Sequence, residues 1–100
     1  MSETILRLRL REVCEELKVS REACIELVEL GVVQPAGDNP EDWVFDTAGV
    51  SVVRRTLRLQ RDLDLDWTAA ALMVDLLEER ERLRNELAIM EQRLQRFLAD

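Results

Sequence analysis

The side chains that could do chemistry in this sequence are two cysteines and several adjacent carboxylates. Cys14 and Cys24 could form a redox pair, and acids such as Glu15 and Glu16 could act as a general acid and base. The sequence has no histidine and no tyrosine, so no thiol or serine has the usual base that would activate it. Two cysteines are also too few for a four-ligand zinc site. We therefore predict a non-enzyme without cofactor or metal, with both cysteines as reduced thiols in the core.

Three further acids have the spacing of a binding surface. Glu22, Glu26 and Glu29, called here the acidic stripe, follow the i, i+4, i+7 pattern of one helix face. In DNA-binding helix-turn-helix proteins the exposed face of the second helix enters the major groove, where these carboxylates would meet phosphates. The stripe is either a solvated acidic face or a surface for a basic protein partner, and the pattern leaves both interpretations open.

Charge and hydropathy narrow the function classes further. The 100-residue chain has 14 basic and 21 acidic residues and a net charge of −7, which argues against specific binding of nucleic acid. Its one locally basic stretch, Arg54 to Arg61, could contact phosphate, although a solvated face or a network with neighbouring acids explains it more simply. No apolar run is long enough for a membrane span, and no signal peptide is recognisable. We expect a cytoplasmic protein with no membrane contact.

Periodicity predicts the elements that position these residues. The alternation of leucine and arginine over residues 4–10 predicts a short half-buried strand or an extended lead-in. Helical spacing predicts helices over residues 10–17 and about 21–30. Two such helices joined by a three-residue turn form a helix-turn-helix unit. The segments 32–35 and 43–45 flank turn residues and predict a small β-hairpin. Trp43 lies in this hairpin, either in the core or as an anchor for a partner.

Two further helices complete the chain. Asp46 is the expected N-cap of the third helix, and Asp66 that of a fourth running from Trp67 to about Leu98. This last helix is too long for a small globule to cover, so we expect self-association, most simply a homodimer. The predicted dimerisation residues keep coiled-coil spacing from Leu83 onward and are called here the apolar seam: Leu76, Leu83, Leu87, Met90, Leu94 and Phe97.

The order of these elements is similar to that of MerR-type winged helix-turn-helix domains. The similarity begins in Leu10-Arg11-Glu12-Val13 and continues through the turn Val19-Ser20. In more detail the chain resembles the CbpM family of chaperone modulators. Four segments carry this resemblance: Leu30-Gly31-Val32-Val33-Gln34-Pro35, Trp43-Val44-Phe45-Asp46, Leu63-Asp64-Leu65-Asp66-Trp67 and Gln92-Arg93-Leu94-Gln95-Arg96-Phe97-Leu98.

The resemblance implies a mainly α fold. Residues 1–65 would form a MerR-like helix-turn-helix domain with a small β wing and a third helix, and residues 66–100 a coiled-coil dimerisation helix. It also implies a non-enzymatic regulator that binds the J-domain of CbpA, a DnaJ-like co-chaperone. Such a regulator inhibits the stimulation of DnaK by CbpA and opposes DNA binding by CbpA.

J-domains present a basic helix beside an HPD loop, so we expect Glu22, Glu26, Glu29 and Trp43 to contact the partner. The alternative is a MerR-type transcriptional regulator that binds DNA through Arg21 and Arg54 to Arg61. A third possibility, an adaptor for another basic protein, differs only in the partner.

Overall fold

The computed structural model describes residues 6–99, so residues 4 and 5 of the predicted first strand lie outside it. The elements are β1 (Arg7–Arg9), α1 (Leu10–Leu17), α2 (Arg21–Glu29), a 3-10 turn (Pro40–Asp42), β2 (Val44–Asp46), α3 (Thr47–Leu63) and α4 (Trp67–Ala99). The mainly helical fold with a small two-stranded sheet is confirmed.

Helices α2, α3 and α4 begin at the predicted caps, because each capping side chain satisfies a backbone N–H that the first helical turn leaves without a partner. The Ser20 hydroxyl accepts from the N–H three residues later at 3.1 Å. The Asp46 and Asp66 carboxylates do the same at 2.7 Å each. At the other end of α1, Lys18 adopts the left-handed conformation (φ 55°) that ends the helix and opens the turn to α2.

The predicted hairpin has the wrong strand pairing. β2 pairs antiparallel with β1, with Leu8 opposite Phe45, whereas residues 32–36 contribute one isolated bridge between Ala36 and Val44. Val33 is instead buried in the core. Gly49 makes room for it on α3, since a Cβ there would lie 3.2 Å from the Val33 Cγ2 atom.

The core lies between the helix-turn-helix unit, the sheet and α3. Its fully buried side chains include Val13, Cys24, Leu27, Phe45 and Val53. The first two turns of α4 pack on α3 and α2, and this contact buries Ala70, Ala71 and Val74.

Beyond Val74, α4 leaves the globule. Every residue from 75 to 99 is exposed. A helix of 33 residues is about 50 Å long, which accounts for most of the 57 Å long axis of the molecule. The radius of gyration is 17.4 Å, against about 13 Å for a compact chain of this length. No helix within residues 6–99 has the length and apolar content to cross a bilayer.

Candidate partner-binding surfaces

The acidic stripe lies on the exposed face of α2. Glu22, Glu26 and Glu29 are all exposed, and none of them has an ion-pair partner among residues 6–99. Arg21, the one basic residue on this helix, instead binds Glu41 of the 3-10 turn, with 3.3 Å between the Nη2 and Oε1 atoms. The stripe is therefore a surface of uncompensated negative charge.

A second acidic surface, which the sequence reasoning missed, borders a cleft of about 310 Å³ between β1, α1 and α3. Leu6, Leu8 and Val50 line it together with Glu12, Glu15, Glu16 and Arg54. The Glu12 carboxylate also accepts from the Arg9 N–H at 2.9 Å, so it stabilises the start of α1. In the sequence, this surface is indicated only by the alternating leucines of β1 and the acids of α1 that follow them. The cleft itself could not be predicted from them, because it forms only where α3 packs against these two elements.

The basic residues of α3 form a separate surface, called here the arginine patch: Arg54, Arg55, Arg58 and Arg61. All four are exposed, and none forms an ion pair within the described part of the chain. The sequence left open whether these arginines form a solvated face or a network with neighbouring acids. Because they are exposed and form no ion pair among residues 6–99, the solvated face fits their placement better.

Trp43 is buried. Its side chain is 8 % exposed and packs edge to face on Phe45, with ring centroids 6.2 Å apart and an interplanar angle of 87°. This pair belongs to the core cluster beneath the sheet. The placement favours the core role over the anchoring role, because a buried indole offers a partner almost no surface.

The two thiols lie on the inner sides of α1 and α2. Burial raises the pKa of the Cys24 thiol to about 12, and the neighbouring Cys14 adds to this effect. Burial also raises the pKa of Cys14, although the positive charge of Arg21 opposes the shift. A raised pKa keeps both thiols protonated, the opposite of what a nucleophile or metal ligand needs. Within residues 6–99 no cluster of three His, Cys, Asp or Glu side chains could hold a metal ion.

The apolar seam is exposed along α4. Met90 is 65 % and Phe97 78 % exposed, and the other seam residues are more than half exposed. At about 100° per residue, the seam lies about 180° around the helix axis from Ala70, Ala71 and Val74, which face the globule. A partner helix could therefore pack on the seam without displacing the globule of the same chain.

Comparisons with known proteins agree with this architecture. A family model described as "MerR HTH family regulatory protein" matches residues 8–92. The chaperone modulatory protein CbpM of Pseudomonas putida is 43% identical over 99 residues, which cover 98% of each chain. The CbpM protein of Pseudomonas entomophila is 44% identical over 98 residues, which cover 97% of each chain. The CbpM protein of Salmonella paratyphi B is 41% identical over 99 residues, which cover 99% of this chain and 98% of the relative. These names denote a regulator and not an enzyme. With a mainly helical fold, a small two-stranded sheet and matches over nearly its whole length, the chain belongs to the CbpM family of chaperone modulatory proteins, within the MerR helix-turn-helix family.

Proposed function

We propose that this chain modulates a chaperone by binding the J-domain of a DnaJ-like co-chaperone, CbpA, in the cytoplasm. In this proposal it covers the J-domain surface that DnaK reads, so that the co-chaperone no longer stimulates DnaK, and it opposes DNA binding by the same co-chaperone. The names of the relatives support the chaperone-modulating part. The J-domain is the proposed partner because it presents a basic helix.

The acidic stripe is the observation that carries this proposal. Its three carboxylates have no ion-pair partner among the described residues, and the one basic residue of α2, Arg21, is bound to Glu41. Each exposed ion pair contributes only about 0–1 kcal/mol, so the stripe would act mainly on the association rate and on specificity.

Apolar contacts must supply most of the affinity, and the buried Trp43 is poorly placed to do so. Leu30, at the end of α2, is 37 % exposed and lies one helical turn beyond Glu26. It is the large exposed apolar side chain nearest the stripe along α2, and we assign it the anchoring contact beside the three acids.

The test is the association rate of the double variant Glu26→Lys, Glu29→Lys with the isolated J-domain at low salt. We expect it to fall about tenfold, because two attractions become repulsions, and we expect the salt dependence to flatten. Stimulation of DnaK should then escape inhibition.

A matched control makes the same charge change elsewhere. Glu78→Lys with Glu81→Lys reverses two acids that lie on the side of α4 away from the seam. Equal slowing by both double variants would show that net charge alone acts, and an unchanged rate for the stripe variant would exclude the stripe. If the parent chain does not bind the J-domain, the proposed partner itself is wrong.

We also propose that the working form is a homodimer joined through α4, with residues 1–65 as the helix-turn-helix domain and residues 66–100 as the dimerisation helix. The exposed apolar seam supports the dimer, whereas the buried Ala70, Ala71 and Val74 tie the first two turns of α4 to the globule. Leu87→Asp with Leu94→Asp should yield monomers in sedimentation at tens of micromolar, a concentration at which an ordinary dimer is associated. A monomeric parent chain under those conditions would refute the dimer.

A second candidate is a DNA-binding regulator of the MerR type, favoured by the family match and by the unpaired arginine patch. Sequence-specific gel shifts at physiological salt that disappear in Arg54→Ala, Arg58→Ala would support it over J-domain binding. The overall charge of −7 opposes it.

A further inference from the structure

A groove runs between α1 and α3. α1 packs mainly on α2 and the sheet, whereas α3 packs mainly on α4 and β2, so these two helices leave a gap between them. The gap consists of the cleft of about 310 Å³ described above and a second cleft of about 170 Å³. Arg54 lines both clefts, so they adjoin at this side chain, and together they are called here the charged groove. The second cleft is lined by Leu17, Arg54, Leu57, Arg58, Arg61 and Asp62.

The floor of the charged groove is apolar along its whole length. Leu6, Leu8 and Val50 line the first cleft, and Leu17 and Leu57 line the second. The leucines of the first cleft and Leu17 are only half-buried, so they keep apolar surface in contact with solvent. Apolar side chains of a partner would cover this surface and gain the free energy of its burial.

The walls of the groove carry opposite charges at its two ends. Three acids and one arginine border the first cleft, and three arginines and one acid border the second. The three acids are Glu12, Glu15 and Glu16, and the three arginines are Arg54, Arg58 and Arg61. The groove is therefore negative at one end and positive at the other.

These charges do not neutralise each other across the groove. The three arginines form no ion pair among residues 6–99, and neither does Glu16. Within the same range Glu15 pairs only with Arg11, at 3.3 Å between the Oε1 and Nε atoms, and both side chains remain exposed. Arg54 and the acids of α1 line one cleft without forming an ion pair, so both signs of charge stay available to a partner.

The length of the groove indicates the size of its occupant. From Val50 to Arg61 it follows eleven residues of α3, which corresponds to about 17 Å or three helical turns. A single amino acid is too short to contact both charged ends. An amphipathic helix of about eleven residues matches this length, and it would lay one apolar stripe on the floor of the groove.

The charges of the groove also specify the polar residues of that helix. Lysine or arginine at one end would meet the acids of α1, and aspartate or glutamate at the other end would meet Arg58 and Arg61. The dipole of the bound helix favours its amino end at the acids and its carboxyl end at the arginines. A segment with both signs of charge has little net charge, so the overall charge of −7 does not oppose it as it opposes nucleic acid.

We propose that the charged groove binds a short amphipathic helix of a partner protein, basic at its amino end and acidic at its carboxyl end. The apolar floor supplies the affinity, and the two charged ends set the direction of the bound helix. The groove shares no residue with the acidic stripe of α2, and the proposal does not depend on the J-domain as partner.

The test uses two synthetic peptides and the full chain. The first is a helix of about eleven residues with leucines along one stripe, lysines in its first turns and glutamates in its last turns. The second has the same composition, but its lysines and glutamates alternate. Both carry the same side-chain crosslink, so that they are equally helical.

Fluorescence anisotropy should give a dissociation constant below about 1 mM for the first peptide and a value about tenfold higher for the second. Affinities within about threefold of each other would refute the charge pattern. A dissociation constant above about 1 mM for the first peptide would refute the groove as a binding site.

Charge reversals in the groove give a second measurement. Arg58→Glu should weaken binding of the first peptide about tenfold, because an attraction becomes a repulsion. Arg55→Glu is the matched control, since Arg55 is an exposed arginine of the same helix that lines neither cleft. Glu16→Lys should also weaken binding about tenfold, with Glu78→Lys on the exposed part of α4 as its control. Equal effects of variants and controls would show that net charge alone acts, and would overturn the proposal.

Amide chemical shifts locate the first peptide on the chain. We expect the largest changes at Leu6, Leu8 and Leu17, which line the floor of the groove. Changes confined to the acidic stripe or to the apolar seam would show that the peptide binds another surface, and this result would also overturn the proposal.

Discussion

Replacing Trp43 by leucine separates a core role from a binding role, because each role predicts a loss in a different assay. An aromatic side chain of this size buries about 200 Å², or about 5 kcal/mol at 25 cal/mol per Å². Because Trp43 is only 8 % exposed, it contributes nearly all of this burial free energy to stability. A leucine at the same position would contribute about half as much. The lost edge-to-face contact with Phe45 adds about 1 kcal/mol. We expect the unfolding free energy to fall by about 3 kcal/mol.

Urea unfolding followed by far-ultraviolet circular dichroism measures this loss without relying on the deleted fluorophore. Trp67→Leu is the matched control, since its indole is only half-buried at the start of α4 and should cost less. J-domain affinity is then measured where each variant is fully folded, and it should equal that of the parent. A loss of affinity of more than tenfold with a change in unfolding free energy below about 1 kcal/mol would refute the core assignment.

Three further predictions concern single positions. Because burial raises the pKa of Cys24 from 9.0 to about 12, the unfolded thiol ionises first. Its contribution to stability should be complete below pH 9 and decline as the pH rises towards 12, by up to about 1.4 kcal/mol per pH unit, and chemical denaturation of Cys24→Ala should lack this slope. Lys18→Gly should raise the unfolding free energy by about 0.5–1 kcal/mol, since φ of 55° strains any residue with a Cβ; a lower melting temperature would contradict this. Gly37→Ala should lower the unfolding free energy by about 2 kcal/mol or more, because at φ of 112° the new Cβ would lie 2.7 Å from the Asp42 carbonyl oxygen; unchanged urea unfolding would contradict it.

The helical part of the fold was predictable because its signals are local. Ser20, Asp46 and Asp66 cap helices within three residues of themselves, and the spacing of apolar residues fixed which side of α2 is buried. The acidic stripe is exposed as predicted for the same reason. Its role in recognition, by contrast, depends on a partner whose surface is not encoded in this chain.

The pairing of the strands was not predictable from neighbouring residues. Residues 32–35 and 43–45 are close in sequence and separated by turn residues, so local reasoning favours their hairpin. The actual partner of β2 is β1, which lies before both helices of the helix-turn-helix unit. Trp43 was difficult to place for the same reason: the distant β1 strand and α3 provide the core that an isolated hairpin lacks.

The position of the last core residue along the chain has a consequence for the order of synthesis. Val74 is the final buried side chain among the described residues, and the exposed length of α4 follows it. A nascent chain must first close the long loop between β1 and β2, an event that is slow compared with helix formation. The apolar seam, which is the proposed dimer surface, leaves the ribosome only after every residue that is buried within residues 6–99 has been made. A chain interrupted near residue 75 would therefore contain every residue that is buried within residues 6–99 and none of the apolar seam. In the proposed homodimer, assembly would follow the formation of the globule.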